Sequence, residues 1–131
     1  MPHLTLEYSA NLENATDLNA LCKLLNKTLF ETQLFELGAI RVRAVGCEFY
    51  AIADDLQQNA FLDANLRIGV GRSLEDKKRI GVALFTTMSE FFRSQLATSN
   101  FALSLEIREI DAALSWKKNT IHPRLRNTSG A

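Results

Sequence analysis

Near the start of the chain Leu4, Leu6 and Tyr8 alternate with Thr5 and Glu7, the period-two pattern of a strand that buries one face. A turn-like S-A-N-L-E-N follows. Apolar residues then recur at Leu18, Leu21, Cys22, Leu25 and Leu29, a spacing that lines them along one stripe of a helix. Asp17 or Thr16 suits its N-cap. Beyond Gly38, a helix-exit or turn residue, A-I-R-V-R-A-V alternates again, with Ile40, Val42 and Ala44 opposite Arg41, Arg43 and Val45. The first half therefore reads β-α-β.

The second half repeats that order. Leu62, Ala64, Leu66, Ile68 and Val70 alternate with Asp63, Asn65, Arg67 and Gly69, the clearest strand of the chain. In G-R-S-L-E-D, Ser73 suits a helix N-cap, and Glu75 and Asp76 put negative charge in the first turn, where the helix dipole favours it. Ile80, Leu84, Met88 and Phe91 continue as a helical stripe to about Leu96, and Phe101, Leu103, Leu105 and Ile107 form a fourth strand. The pattern predicts an α/β (α+β) fold: tandem β-α-β units, about 2–58 and 59–110, with an irregular tail over 111–131, all in one domain. Right-handed crossovers would leave the strands of each unit parallel within one mixed four-stranded sheet, both helices covering the same face. The opposite face then carries Thr5, Glu7, Arg41, Arg43, Asp63, Asn65, Arg67, Ser104 and Glu106, polar and mixed in charge.

Composition narrows what such a fold can do. With 131 residues, 47% hydrophobic and 23% charged, the chain can bury a sizeable core, so extended disorder is excluded. Fifteen basic residues balance fifteen acidic ones, leaving no global field to hold nucleic acid or an anionic membrane; an anion would have to be held by local arginines. No apolar run is long enough to span a bilayer and the first ten residues lack the order of a signal peptide, which points to a cytoplasmic protein. Cys22 and Cys47 show neither C-x-x-C spacing nor a neighbouring histidine and read as small buried hydrophobes.

The candidate chemistry is divided between the repeats. Pro2 stands at the mouth of the first strand. There a proline is tolerated because it forfeits a ladder donor at the strand start only, but once Met1 is removed it becomes a secondary amine, a titratable base. Gly71-Arg72-Ser73 opens the second helix, where the first half has Asn11-Leu12-Glu13; counting back ten residues from Arg72 puts Leu62 where the first half has Pro2. Arginines stand at 41 and 43 in the second strand, against Ser104 and Glu106 in the fourth. Taken singly, each residue also fits a plain role: Pro2 an edge-strand starter, Arg72 a solvated turn residue, Arg41 and Arg43 charges on an exposed strand face.

Taken together, P-H-L-T-L-E-Y, A-I-R-V-R, L-R-I-G-V-G-R-S-L-E, F-A-L-S-L-E-I-R-E and L-S-W-K-K-N-T-I-H resemble, in order over residues 2 to about 122, segments of the tautomerase superfamily. The resemblance implies that Pro2, as mature amino terminus, is the general base, and that Arg72 and Arg41 hold and polarise carboxylate and carbonyl oxygens, with Arg43 the competitor of Arg41. Trp116, Phe49 and Tyr50 are core aromatics by default, Trp116 being also suited to wall the proline nitrogen and so to contact substrate. His3 and His122 are given no catalytic role. The implied reaction moves a proton in an unsaturated 2-oxo or 2-hydroxy di- or tricarboxylic acid of the 5-carboxymethyl-2-hydroxymuconate kind, without metal or organic cofactor. A homotrimer is implied, its site near a subunit boundary, so that Arg72 or Arg41 serves a neighbour's proline. Two rival readings stay open: a proline-based hydratase or dehalogenase of unsaturated acids, and a trimeric binding module with an idle proline.

Overall fold

The computed structural model describes residues 1–129. Four strands, β1 (His3–Ser9), β2 (Arg41–Cys47), β3 (Ala60–Gly69) and β4 (Phe101–Ile110), form one sheet in the order β2-β1-β3-β4. β1 runs parallel to β2, β3 runs parallel to β4, and the two central strands are antiparallel, so the sheet is mixed. Each parallel pair is joined by a helix, α1 (Leu18–Glu31) in the first half and α2 (Leu74–Phe91) in the second.

Alternation decides which side is buried. Leu4, Leu6, Leu62, Leu66 and Ile68 point inward and are wholly buried against Leu21, Leu25 and Leu29 of α1 and Ile80, Leu84 and Met88 of α2. Each such side chain contributes about 1.5–3 kcal/mol on leaving water, so this single cluster holds both repeats together. The helices also touch through Thr28 and Thr87, whose hydroxyls lie 3.2 Å apart. The caps are the ones the residue types suggest: Asp17 accepts from the Ala20 amide and Ser73 from the Asp76 amide. Gly71 has φ +113°, a conformation that only glycine adopts without strain, so the turn ahead of Arg72 depends on it.

Several expectations are corrected. The second long helix stops at Phe91. Phe92, wholly buried, leaves helical geometry at φ −96°, ψ 24°, and a short α3 (Arg93–Leu96) follows. Residues 111–131 are not all irregular: Ala112–Leu114 form a 3-10 turn and Ile121–Ser129 a helix, α4, while residues 130 and 131 lie outside the described ones. The cue for α4 is Asn119, whose Oδ1 accepts from the Ile121 and His122 amides; Pro123 is harmless there because a first-turn residue has no helical partner for an amide. Trp116 and Phe49 are not core aromatics, being 85% and 92% exposed, and Tyr50 is also exposed. Cys22 and Cys47 are half-buried free thiols. No helix among the described residues is long and apolar enough to cross a membrane.

Candidate active site

The start of β1 and the end of β3 meet at one corner of the sheet, because the two strands are antiparallel with His3 opposite Arg67. Pro2 is buried at this corner, and its carbonyl accepts from the Arg41 amide at 3.1 Å, opening the β1–β2 ladder. The proline therefore costs the sheet nothing. A cleft of about 430 Å³ opens over it, walled by Leu34, Phe35 and Ala39, with Arg72, Lys117, Asn119, His122, Glu36 and Arg126 supplying polar groups.

Arg72 is held in this cleft by its own half of the chain and by the other. Nη1 donates to the Gly69 carbonyl at 3.3 Å and Nη2 to the Leu34 carbonyl at 2.9 Å, while the guanidinium lies 4.4 Å from the centre of the Phe35 ring. A planar cation stacked on an aromatic and pinned by two carbonyls is pre-oriented, and its remaining N–H groups are free to grip an anion.

Arg41 and Arg43 behave differently. Both point from edge strand β2 onto the outer face of the sheet; Arg41 Nη1 donates to the Ala39 carbonyl at 3.2 Å and does not line the Pro2 cleft. Arg43 Nη1 lies 3.4 Å from His3 Nδ1. Burial together with Arg67, Arg43 and Arg41 holds the His3 imidazole below its ordinary pKa, so His3 is a neutral hydrogen-bonding group among cations.

The tail supplies what sequence patterning missed. Asn119 Nδ2 donates to the Gly38 carbonyl at 2.8 Å and draws α4 onto the turn before β2. A side chain at Gly38 would come within 2.9 Å of His122 Nδ1, so this approach requires glycine. It brings His122 Nδ1 to 3.5 Å from Glu36 Oε2, and Arg126 grips the same carboxylate with two bonds of 2.6 and 2.7 Å. The hydrogen bonds from Arg126 keep the Glu36 carboxyl below its ordinary pKa. The N-x-x-x-P spacing of Asn119 and Pro123 is the one sequence signal that could have found this helix.

The amino terminus itself sits in a cationic field. The Met1 α-amino group is held below its ordinary pKa by burial, then by Lys117, Arg72 and Arg41. An amine so placed is a free base at lower pH than one in water. Charged groups that grip an anion and a neutral amine beside them can stabilise a developing enolate and move its proton. No group of histidine, cysteine or acidic residues among the described ones could hold a metal ion.

Comparison with known proteins shows what the chain as a whole is similar to. A family model described as 5-carboxymethyl-2-hydroxymuconate isomerase matches residues 2–125. A 5-carboxymethyl-2-hydroxymuconate Delta-isomerase from Escherichia coli is 35% identical over 122 residues, 93% of this chain and 97% of its own. The crystal structure of a 5-carboxymethyl-2-hydroxymuconate isomerase from Deinococcus radiodurans R1 superposes with a TM-score of 0.89 at 42% identity, covering 95% of this chain and 94% of that one. A fused 4-OT protein described as a symmetric trimer shares the fold, with a TM-score of 0.66 at 16% identity over 88% of this chain and 93% of that one.

Proposed function

We propose, for a chain that belongs to the 5-carboxymethyl-2-hydroxymuconate isomerase family and is an isomerase, that Pro2 is its general base and 5-carboxymethyl-2-hydroxymuconate its substrate. The observation that carries this reading is the meeting of Pro2 and Arg72, from different halves of the chain, in one cleft. In the chain that begins at Pro2, the secondary amine takes a proton from the 2-hydroxy-diene, the electrons moving into the conjugated chain as the 2-oxo group forms, and returns a proton at a remote carbon. Arg72 holds a carboxylate against this movement. Negative charge on the 2-oxygen is greatest in the dienolate, where a fixed guanidinium stabilises it most.

Arg41 is the guanidinium assigned to that oxygen, acting in a neighbouring subunit. It lies on an edge strand and outside its own Pro2 cleft, and a strand edge with unpaired backbone groups is where another copy adds. A homotrimer, as in the fused 4-OT structure, accommodates both facts. The polar outer face of the sheet, beyond the amino-terminal corner where Arg67 stands, would then pair with copies around the threefold axis.

The test is a dienol-to-ketone ultraviolet assay on protein shown by mass spectrometry to start at Pro2. Correctly processed Pro2→Ala should lose about a hundred- to ten-thousandfold in kcat/KM, and a 2-oxo acid with borohydride should label Pro2 alone. Arg72→Ala should act mainly through KM. Parent-like turnover by Pro2→Ala would refute the base assignment, and a 14.7 kDa species alone in sedimentation equilibrium would refute the trimer.

A further inference from the structure

A second cleft, also of about 430 Å³, opens on the other side of the amino terminus, between the start of β1, the end of β3 and the segment after β4. The two clefts have Met1 and Lys117 in common. Met1 therefore stands between them, and in a chain that starts at Pro2 they open into one another. The Pro2 nitrogen would lie in the middle of the joined cavity, whose combined size is that of an ordinary small-ligand site.

The cations of the joined cavity differ in how far they are committed. Arg72 is pinned by two carbonyls and a ring, and Arg126 is closed around Glu36. Lys117, in both clefts, and Arg67, in the second, enter no ion pair and no side-chain hydrogen bond among the described residues. Two uncommitted cations facing a cleft with an apolar wall of Ile110 and Trp116 form a receptor for a carboxylate on a short carbon arm. Lys117 is also the charge that acts most strongly on the terminal amine, consistent with its closeness to the reacting centre.

We propose that this second cleft is the subsite for a further carboxylate, the one on an arm that branches from the chain gripped by Arg72, and that Lys117 and Arg67 bind it. The inference rests on the reading of the Pro2 cleft as the isomerase site and deepens it: Lys117 and Arg67 make the enzyme selective for branched triacids over simple diacids. They are positioning residues for the reaction, binding the arm equally in ground and transition states, so at pH above the acid limb of the rate profile their loss appears mainly in KM.

The probes are tricarballylate and glutarate, which differ only by a carboxylate on the central carbon. Trp116 is the single tryptophan of the chain and lines the second cleft, so its fluorescence reports occupancy without turnover. Protein beginning at Pro2 should bind tricarballylate about tenfold more tightly than glutarate. Lys117→Ala and Arg67→Ala should each erase most of that preference, Lys117→Arg should restore it, and the adjacent exposed Lys118→Ala should keep it. Arg72→Ala should weaken both ligands alike. A parent without preference, a preference that survives both Lys117→Ala and Arg67→Ala, or an equal loss in Lys118→Ala would each overturn the subsite. Ligand preference that follows Lys117 in a protein that does not isomerise the dienol would uphold the subsite and refute the isomerase reading.

Discussion

The sheet has two corresponding corners, one for each repeat, and only one is open. At the first, the start of β1 meets the end of β3 and the turn into α2, and Pro2, Arg72 and the tail surround a cleft. At the second, the start of β3 meets the end of β1 and the turn into α1, and every equivalent group is used for structure. Leu12, the counterpart of Arg72, is 2% exposed and packs in the core. Leu62, matched to Pro2 by counting residues, lies inside β3; the residue directly ahead of that strand is Asn59, which is buried, donates to the Ile52 carbonyl and Asp54 carboxylate and accepts from Asn100 Nδ2. Asn11 Nδ2 closes the corner by donating to the Asn59 carbonyl at 2.8 Å, and Ser9 Oγ accepts from the Phe61 amide. The same backbone arrangement thus opens a cleft at one end and serves cohesion at the other. The difference lies in whether most polar groups satisfy each other, as at the closed corner, where Asn11 Oδ1 is a buried acceptor left without a partner among the described residues, or are left pointing at space.

That contrast can be broken by substitution. After Pro2→Ala, the largest effect is expected from the arginine assigned to a neighbour's open corner: Arg41→Ala should lower kcat about a hundredfold while the midpoint of thermal unfolding barely moves, as for loss of an oxyanion donor. If Arg43→Ala does this instead, the strand arginine has been chosen wrongly. At the closed corner the pattern should invert. Asn59→Ala strands three partners and should cost about 2 kcal/mol of stability in a denaturant titration, with isomerase activity unchanged in the fraction that is folded.

Tyr8 offers a smaller and pH-dependent version of the closed corner. Its hydroxyl donates to Glu13 Oε1 at 2.7 Å, and that bond, with burial and the charge of Glu13, raises its pKa from 10.0 to about 12. Since the folded value lies above the unfolded one, the stabilisation is full below pH 10 and is lost as pH climbs to about 12. Tyr8→Phe should therefore be less stable than the parent by about 1 kcal/mol at neutral pH, and the gap should close in that alkaline window.

The finest test sharpens the open corner. If the Pro2 amine inherits the field that lowers the Met1 amine, the acid limb of the pH profile of kcat/KM lies below the ordinary α-amino pKa of roughly 8. Lys117→Ala removes one of the charges that disfavour the protonated form, so the limb should move to higher pH. A limb that stayed in position would mean that burial and the two arginines, not Lys117, set the amine's pKa.

The sequence by itself determined the four strands, the two long helices, the shared buried face and the polar outer one, because periods of 2 and 3.6 are local properties that each segment carries alone. It also showed that Pro2 and Arg72 break the symmetry of the repeats, since a comparison of aligned positions needs no coordinates. What only the tertiary structure decided was the company these residues keep. The packing of Arg72 against Phe35 and Leu34, the direction of Arg41 away from its own cleft, and the arrival of Lys117, His122 and Arg126 at the amino terminus depend on contacts between distant segments. The last of these rests on the Asn119 amide donating to the carbonyl of Gly38, on the absence of a side chain there, and on the pairing of Arg126 and His122 with Glu36. A single long-range hydrogen bond leaves no period in a sequence, because neither partner constrains its own neighbours.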